Sequence, residues 1–389
     1  MKVLQIHNEY FYKGGEDVVV EMEKKLLIKN KIEVSQLKRK NLNEIVTFFD
    51  KVNIAINLNF SNKSKQIVID KINKIKPNIV HIHNTFPLWT YSIIDACYVS
   101  KIPVVMTLHN FRFICAKGVF FRKNKVCELC LNSSLFNAVK YGCYQNSILK
   151  SIPVALMINK YKRGLTLAKK VSKFIVMTDF SKKKLLQINF PENKIVIKPN
   201  FLFDIKTNPS LFLKKGFLYA SRLSEEKGLF DLIEAHNRFN FDLSICGDGP
   251  LKNLLSSYKK IKYLGLLNKQ QLLKILIKSK FLIFPSKCNE TFGNLILEAF
   301  ATGTVVIAPS LESISSIVKD KYSGILYKPG NINDLISKIK WALNNNNYCS
   351  RISRNAKKIL KEKYSEKNNF QILKKIYEEV IRNYENLNY

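Results

Sequence analysis

Acidic residues are few in this chain, with 30 Asp and Glu against 64 Lys and Arg in 389 residues and a formal net charge of +34. Arg-rich tracts and interleaved aromatic motifs are missing, so the charge does not read as a nucleic-acid module. The excess is mostly lysine, in a sequence also crowded with Asn and Ile, as at Asn344–Asn347. No apolar run reaches the roughly 18–20 residues that span a bilayer. The segment Met1–His7 turns polar too early for a signal peptide. A soluble cytoplasmic protein is expected. No tandem repeat is visible, and no Asp-x-Asp pair stands at a strand end to hold a catalytic metal.

With 46% hydrophobic and 24% charged residues the composition is globular, and the length suits two or three domains. Short apolar, β-branched runs alternate with amphipathic stretches. Strands are expected at Val3–His7, Glu33–Lys38, Ile79–His83, Pro103–Leu108, Phe174–Met177 and Ile195–Lys198, with a helix from Gly14-Gly15 to about Lys29. The pattern pauses at Lys198-Pro199-Asn200 and through Asp204–Lys215, then restarts. Strands at 216–220, 241–247, 261–264, 281–285 and 305–308 then alternate with helices at 228–239, 251–258, 270–278 and 294–301. A charged helical segment, about Lys357–Asn386, closes the chain. Continuous apolar strands separated by helices indicate α/β domains with parallel sheets covered on both faces. The expected division is an N-terminal domain, 1–199, a C-terminal domain, 200–368, and a last helix, 369–389, returning to the first. Ligands in such folds bind at the carboxyl ends of the strands, which implies a site in the cleft between two facing domains.

Three segments at such strand ends could carry chemistry. In Glu290-Thr-Phe-Gly293-Asn294-Leu-Ile-Leu-Glu298, Glu290 falls in a loop and Glu298 about one turn into the next helix. Gly293 permits close backbone approach, and amides at a helix start attract phosphate. Carboxylates at either end of that turn can accept from sugar or ribose hydroxyls, although an ordinary capped helix has the same look. In Arg222-Leu-Ser-Glu-Glu-Lys227-Gly228, two cations flank a turn and can hold a diphosphate. Gly247-Asp248-Gly249-Pro250 follows another strand.

Together with Gly14-Gly15-Glu16 and His109, these segments in this order resemble glycosyltransferase family 4, the retaining enzymes with two Rossmann-like domains called GT-B. The resemblance covers nearly the whole chain. It implies that Arg222 and Lys227 bind the donor diphosphate, Glu298 the nucleotide ribose and Glu290 the transferred sugar. Gly293 and Asn294 would offer amides, Gly247 would line the donor site, Gly14 and Gly15 would form a loop facing donor and acceptor, and His109 would align the sugar. No cofactor is then required for catalysis, since Arg and Lys replace a divalent ion.

Other residues stand outside that resemblance. Cys115, Cys127, Cys130 and Cys143 fall in an insertion at about 112–146, and the Cys127-Glu-Leu-Cys130 knuckle suggests a structural zinc as readily as unrelated thiols. His81 and His83 are expected to pair with backbone at the end of their strand, although His83-Asn84-Thr85 at that end could instead line the acceptor side. Ser147–Lys170 mixes apolar residues with lysines and could pack on the sheet or lie on an anionic membrane. The expected function is transfer of a sugar from a UDP- or GDP-type donor to a glycan, lipid-linked by family precedent, in surface polysaccharide synthesis. The alternatives are a nucleotide-sugar epimerase of the same fold and a non-enzymatic nucleic-acid-binding protein.

Overall fold

The computed structural model describes residues 1–11, 14–205 and 214–388. Most of the Asp204–Lys215 pause in the pattern, 206–213, lies outside the described residues. The chain divides into two compact units, Met1–Phe120 with Glu128–Pro199 and Asn369–Tyr389, and Asn200–Asn368 with Phe121–Cys127.

The first unit is built on six parallel strands, β1 (Lys2–Glu9), β2 (Glu33–Lys40), β3 (Ile79–Ile82), β4 (Val104–Thr107), β7 (Lys173–Val176) and β8 (Ile195–Ile197), in the order β2-β1-β3-β4-β7-β8. The intervening β5 (Phe121–Arg122) and β6 (Lys125–Val126) form a short antiparallel hairpin. That hairpin groups with the second unit, where Lys287 Nζ donates to Asn124 Oδ1 at 2.9 Å. β3 and β4 are buried along their whole length, as strands covered by helices on both faces must be. On one face Leu373, Ile376, Tyr377 and Val380 of the last helix, Glu366–Asn388, pack on Val3, Leu27, Ile79 and Val105. Their i, i+3, i+4, i+7 spacing makes that stripe.

The second unit repeats the architecture with β9 (Lys215–Ala220), β10 (Leu243–Cys246), β11 (Lys262–Tyr263), β12 (Ser279–Ile283), β13 (Val305–Pro309) and β14 (Ile325–Tyr327) in the order β11-β10-β9-β12-β13-β14, all parallel. This is the doubly wound order whose direction reverses between its first and fourth strands, here β9 and β12, and ligands bind at that reversal. In the first unit the reversal falls between β1 and β3. Two expectations of detail change. Residues 251–258 form a 3₁₀ stretch, Lys252–Ser257, rather than an α-helix. The closing segment is two helices, Asn346–Lys363 and Glu366–Asn388, broken at Tyr364-Ser365 where Leu202 N donates to Tyr364 O at 3.1 Å.

Candidate active site

The loop after β9 carries Arg222 and Lys227, and the loop after β12 carries Glu290, so the strand reversal itself brings Lys227 against Glu290. The Lys227 ammonium stands 2.5 Å from Glu290 Oε1, and Ser286 Oγ donates to the same oxygen at 2.8 Å. Burial pushes the lysine's pKa down, but the charge and hydrogen bond of Glu290, together with neighbouring Cys288 and Glu226, outweigh it and hold the ammonium above its ordinary range. Lys287 N donates to Glu226 O at 2.9 Å, joining the two loops through the backbone. Tyr219, Ser221, Lys227, Pro285 and Ser286 line a small recess there. Arg222 is exposed at the head of its loop.

Two glycines make this closeness possible. Gly228 has φ +73°, and a Cβ there would sit 1.8 Å from Pro285 O. At Gly247, φ +134°, a Cβ would sit 1.9 Å from Ser221 O. Only glycine accepts both the backbone conformation and the approach.

Gly293 caps the helix Asn294–Thr302, and Asn294 Oδ1 accepts from Asn200 Nδ2 at 2.8 Å. Glu298, in the second turn, is buried; its Oε1 is engaged by Lys269, while its buried Oε2 has no hydrogen-bond partner among the described residues. An enclosed acceptor without a donor is costly, and it is the kind of group that a ligand hydroxyl satisfies. Lys269 escapes sequence reading because it starts a different helix, Lys269–Lys278.

In the first unit, Gly14 N donates to Asp17 Oδ2 at 2.7 Å, and Asp17 Oδ1 lies 2.8 Å from His7 Nε2. Gly15 opens the helix Gly15–Lys29. His83 Nδ1 meets His109 Nε2 at 3.1 Å with the rings stacked. Burial, aided by its neighbouring imidazoles, keeps His109 well below its ordinary pKa, so it is neutral. Four of the five histidines in the chain, His7, His81, His83 and His109, share this region.

His81 and His83 do not serve the backbone as expected. His81 on β3 and His83 just past its end lie with ring centroids 4.1 Å apart, against the buried Glu23 of the helix Gly15–Lys29. Glu23 Oε1 is 3.0 Å from His81 Nδ1 and 3.2 Å from His83 Nε2, the latter off the line of a hydrogen bond. Lys198 reaches Glu23 Oε2 at 3.1 Å. Glu23 escapes sequence reading because a lone Glu on a helix looks like a surface residue.

Glu23, His81 and His83 are the one group of three or more potential metal ligands among the described residues. The Lys198 ammonium already supplies the cation, and His81 also touches Tyr377 Oη at 2.7 Å and Thr107 Oγ1 at 2.8 Å. The four cysteines expected to bind zinc are not gathered in such a group. Cys115, Cys130 and Cys143 pack at the edge of the first core, and Cys127 ends the hairpin segment grouped with the second unit.

Residues 208–359 match the family of glycosyl transferases group 1. That segment holds the paired loops, Glu290 and Glu298. The chain is 30% identical over 169 residues to an uncharacterised glycosyltransferase of Methanocaldococcus jannaschii, a match covering 42% of this chain and 48% of the relative. The chain thus spans about half the length of the curated relatives it matches. Among solved structures, a glycosyltransferase from Rickettsia africae aligns over 98% of this chain and 99% of its own at a TM-score of 0.66 and 18% identity. Anabaena HepE in complex with UDP-glucose aligns over 97% and 99% at 0.65 and 16%. The fold is therefore the two-sheet GT-B fold. No helix among the described residues is long and apolar enough to cross a membrane.

Proposed function

We propose that this chain is a retaining glycosyltransferase of the family 4 type that moves a sugar from a nucleotide diphosphate to a glycan acceptor. The observation that carries the reading is the Lys227–Glu290 pair at the β9/β12 reversal, within the segment that matches the glycosyl transferases group 1 family. Lys227 and Arg222 are the donor-diphosphate cations. Glu298, with its unsatisfied Oε2, accepts from the ribose. Glu290 contacts the transferred sugar, and Gly293 and Asn294 offer amides at the helix start. In the first unit His109, neutral and braced by His83, takes the role of hydrogen-bonding the sugar, and Gly14 and Gly15 that of the ligand-facing loop.

The chemistry follows from charge. As the anomeric C–O bond breaks, positive charge grows on the sugar and negative charge on the departing diphosphate. Two fixed cations stabilise the latter in place of a divalent ion. The leaving phosphate takes the acceptor's proton as the new bond forms on the same face, which retains configuration. A UDP-type donor is favoured by the UDP-glucose complex of the Anabaena protein. A lipid-linked acceptor on a route to surface polysaccharide completes the proposal and rests on the family resemblance alone.

The test is a thermal-shift screen of UDP- and GDP-sugars, followed by product analysis with and without acceptor. A ligand that binds only the native state raises the melting temperature, by more as its concentration exceeds Kd. Stabilisation by a nucleotide sugar, with transfer only when acceptor is present, is expected. Conversion of the donor alone would identify an epimerase instead.

A further inference from the structure

Helix Phe48–Asn57 buries none of its residues. Phe48 and Phe49 are 74% and 81% exposed, and Val52 and Ile56 also face solvent. Helix Ile148–Lys160, which lies against it, repeats the arrangement with Ile148, Leu149, Ile152 and Leu156 exposed. Both sets have the spacing i, i+1, i+4, i+8. At 3.6 residues per turn each occupies an arc of roughly 100°. The second helix turns its other side, Val154, Ala155, Met157 and Ile158, into the core. The outward stripe is thus separate from the packing stripe.

Charge around these helices is mostly positive. No acidic residue occurs between Glu128 and Asp179, whereas Lys140, Lys150 and Lys160 are exposed along that stretch. On the first helix the one acid, Asp50, is turned back to its own N-terminus, accepting from Thr47 N at 2.7 Å. Lys51 on the same helix and Lys63 at the start of the next are exposed. An apolar stripe rimmed by cations suits a surface with anionic headgroups above acyl chains. A water-facing helix would not gather such large side chains on one side.

We propose that the exposed faces of helices 48–57 and 148–160 form a docking surface for an anionic lipid bilayer. The aromatic and aliphatic side chains enter the headgroup–acyl boundary while the lysines stay among the phosphates. Both helices belong to the first unit, and the inference is independent of any transfer activity.

Flotation of the full chain with phosphatidylcholine vesicles, alone or with phosphatidylglycerol, tests this at low and high salt. Binding to the anionic vesicles is expected, weakened by salt. Phe48→Ser/Phe49→Ser and, independently, Leu149→Ser/Leu156→Ser should each cut the bound fraction about 10-fold. Leu266→Ser, an exposed apolar residue of the second unit, should leave it unchanged. A Phe49→Trp variant, which removes no apolar contact, should show blue-shifted emission on anionic vesicles. Absence of flotation, equal binding by the serine variants, or unshifted emission from the Phe49→Trp variant would overturn the proposal. So would light scattering that showed the patch holding two copies together without lipid.

Discussion

The Glu23 carboxylate stands 3.1 Å from the Lys198 ammonium, both buried inside the first unit. Burial raises the carboxyl's pKa, but His81, Lys198 and His83 together hold it well below the ordinary range. Lys198 also donates to Asn369 Oδ1 at 3.2 Å, and Tyr377 touches His81. One ion pair therefore joins the helix Gly15–Lys29, the end of β8 and the last helix of the chain.

Removing one partner leaves the other charged and buried, which costs about 3–5 kcal/mol. Glu23→Gln should lower the stability of the first unit by that order, and Glu23→Gln/Lys198→Met should recover part of it. Urea unfolding followed by Trp89 fluorescence in a Trp341→Phe background measures this, because those are the two tryptophans. A loss under about 1 kcal/mol in the single variant would show the pair to be marginal.

Acid and alkali should destabilise this unit for different reasons. Burial pushes His83 down to about 3 from its ordinary 6.5. The folded form then refuses a proton that the unfolded chain accepts below about 6.5. Stability is complete above that pH and falls below it by about 1.4 kcal/mol per pH unit for each such imidazole. Glu16 has the opposite sign. Its burial, added to by the nearby Asp17 charge, brings it up to about 8 from 4.5, even though Tyr10 donates to Oε2 at 3.0 Å and favours the carboxylate. The unfolded chain releases that proton first, so stability declines as pH rises from 4.5 to 8. His109 is likewise held well below its ordinary range, so two imidazoles outweigh Glu16 below pH 6.5; an optimum near pH 6.5 is expected in unfolding midpoints, and Glu16→Gln should flatten the alkaline side. A steady rise to pH 8 would contradict the assignment.

Lys227→Ala and Arg222→Ala should each cut turnover about 10²-fold or more, the scale on which lost charge-stabilising donors act. Glu298→Gln should weaken donor binding more than it slows the chemical step, since the ribose is remote from the reacting bond. Single-turnover kinetics with the donor found by screening separates these outcomes. Near-normal turnover in both cation variants would refute the proposed site.

Gly228→Ala should cost about 3 kcal/mol or more in the second unit, since its Cβ would overlap Pro285 O. Gly330→Ala shares the left-handed backbone, φ +71°, but meets nothing within 4 Å, and should cost only about 1 kcal/mol. The difference in thermal midpoint isolates the close approach from backbone strain.

The sequence by itself determined the alternation of strands and helices, the two parallel sheets and the strand-end loops with their cations, carboxylates and glycines. Those features follow from local periodicity and turn chemistry, which neighbours along the chain decide. Strand order was not legible, because it depends on pairing between segments far apart. That order set β9 beside β12 and thus Lys227 against Glu290. The tertiary structure alone decided that Glu23 is a buried counter-ion rather than a surface acid, and that His81 and His83 serve it. It likewise decided that the phenylalanines of 48–57 face outward and that the cysteines of the insertion are not drawn together. Burial is a property of the assembled layers, and the same residue type reads alike in sequence whether water or another helix covers it.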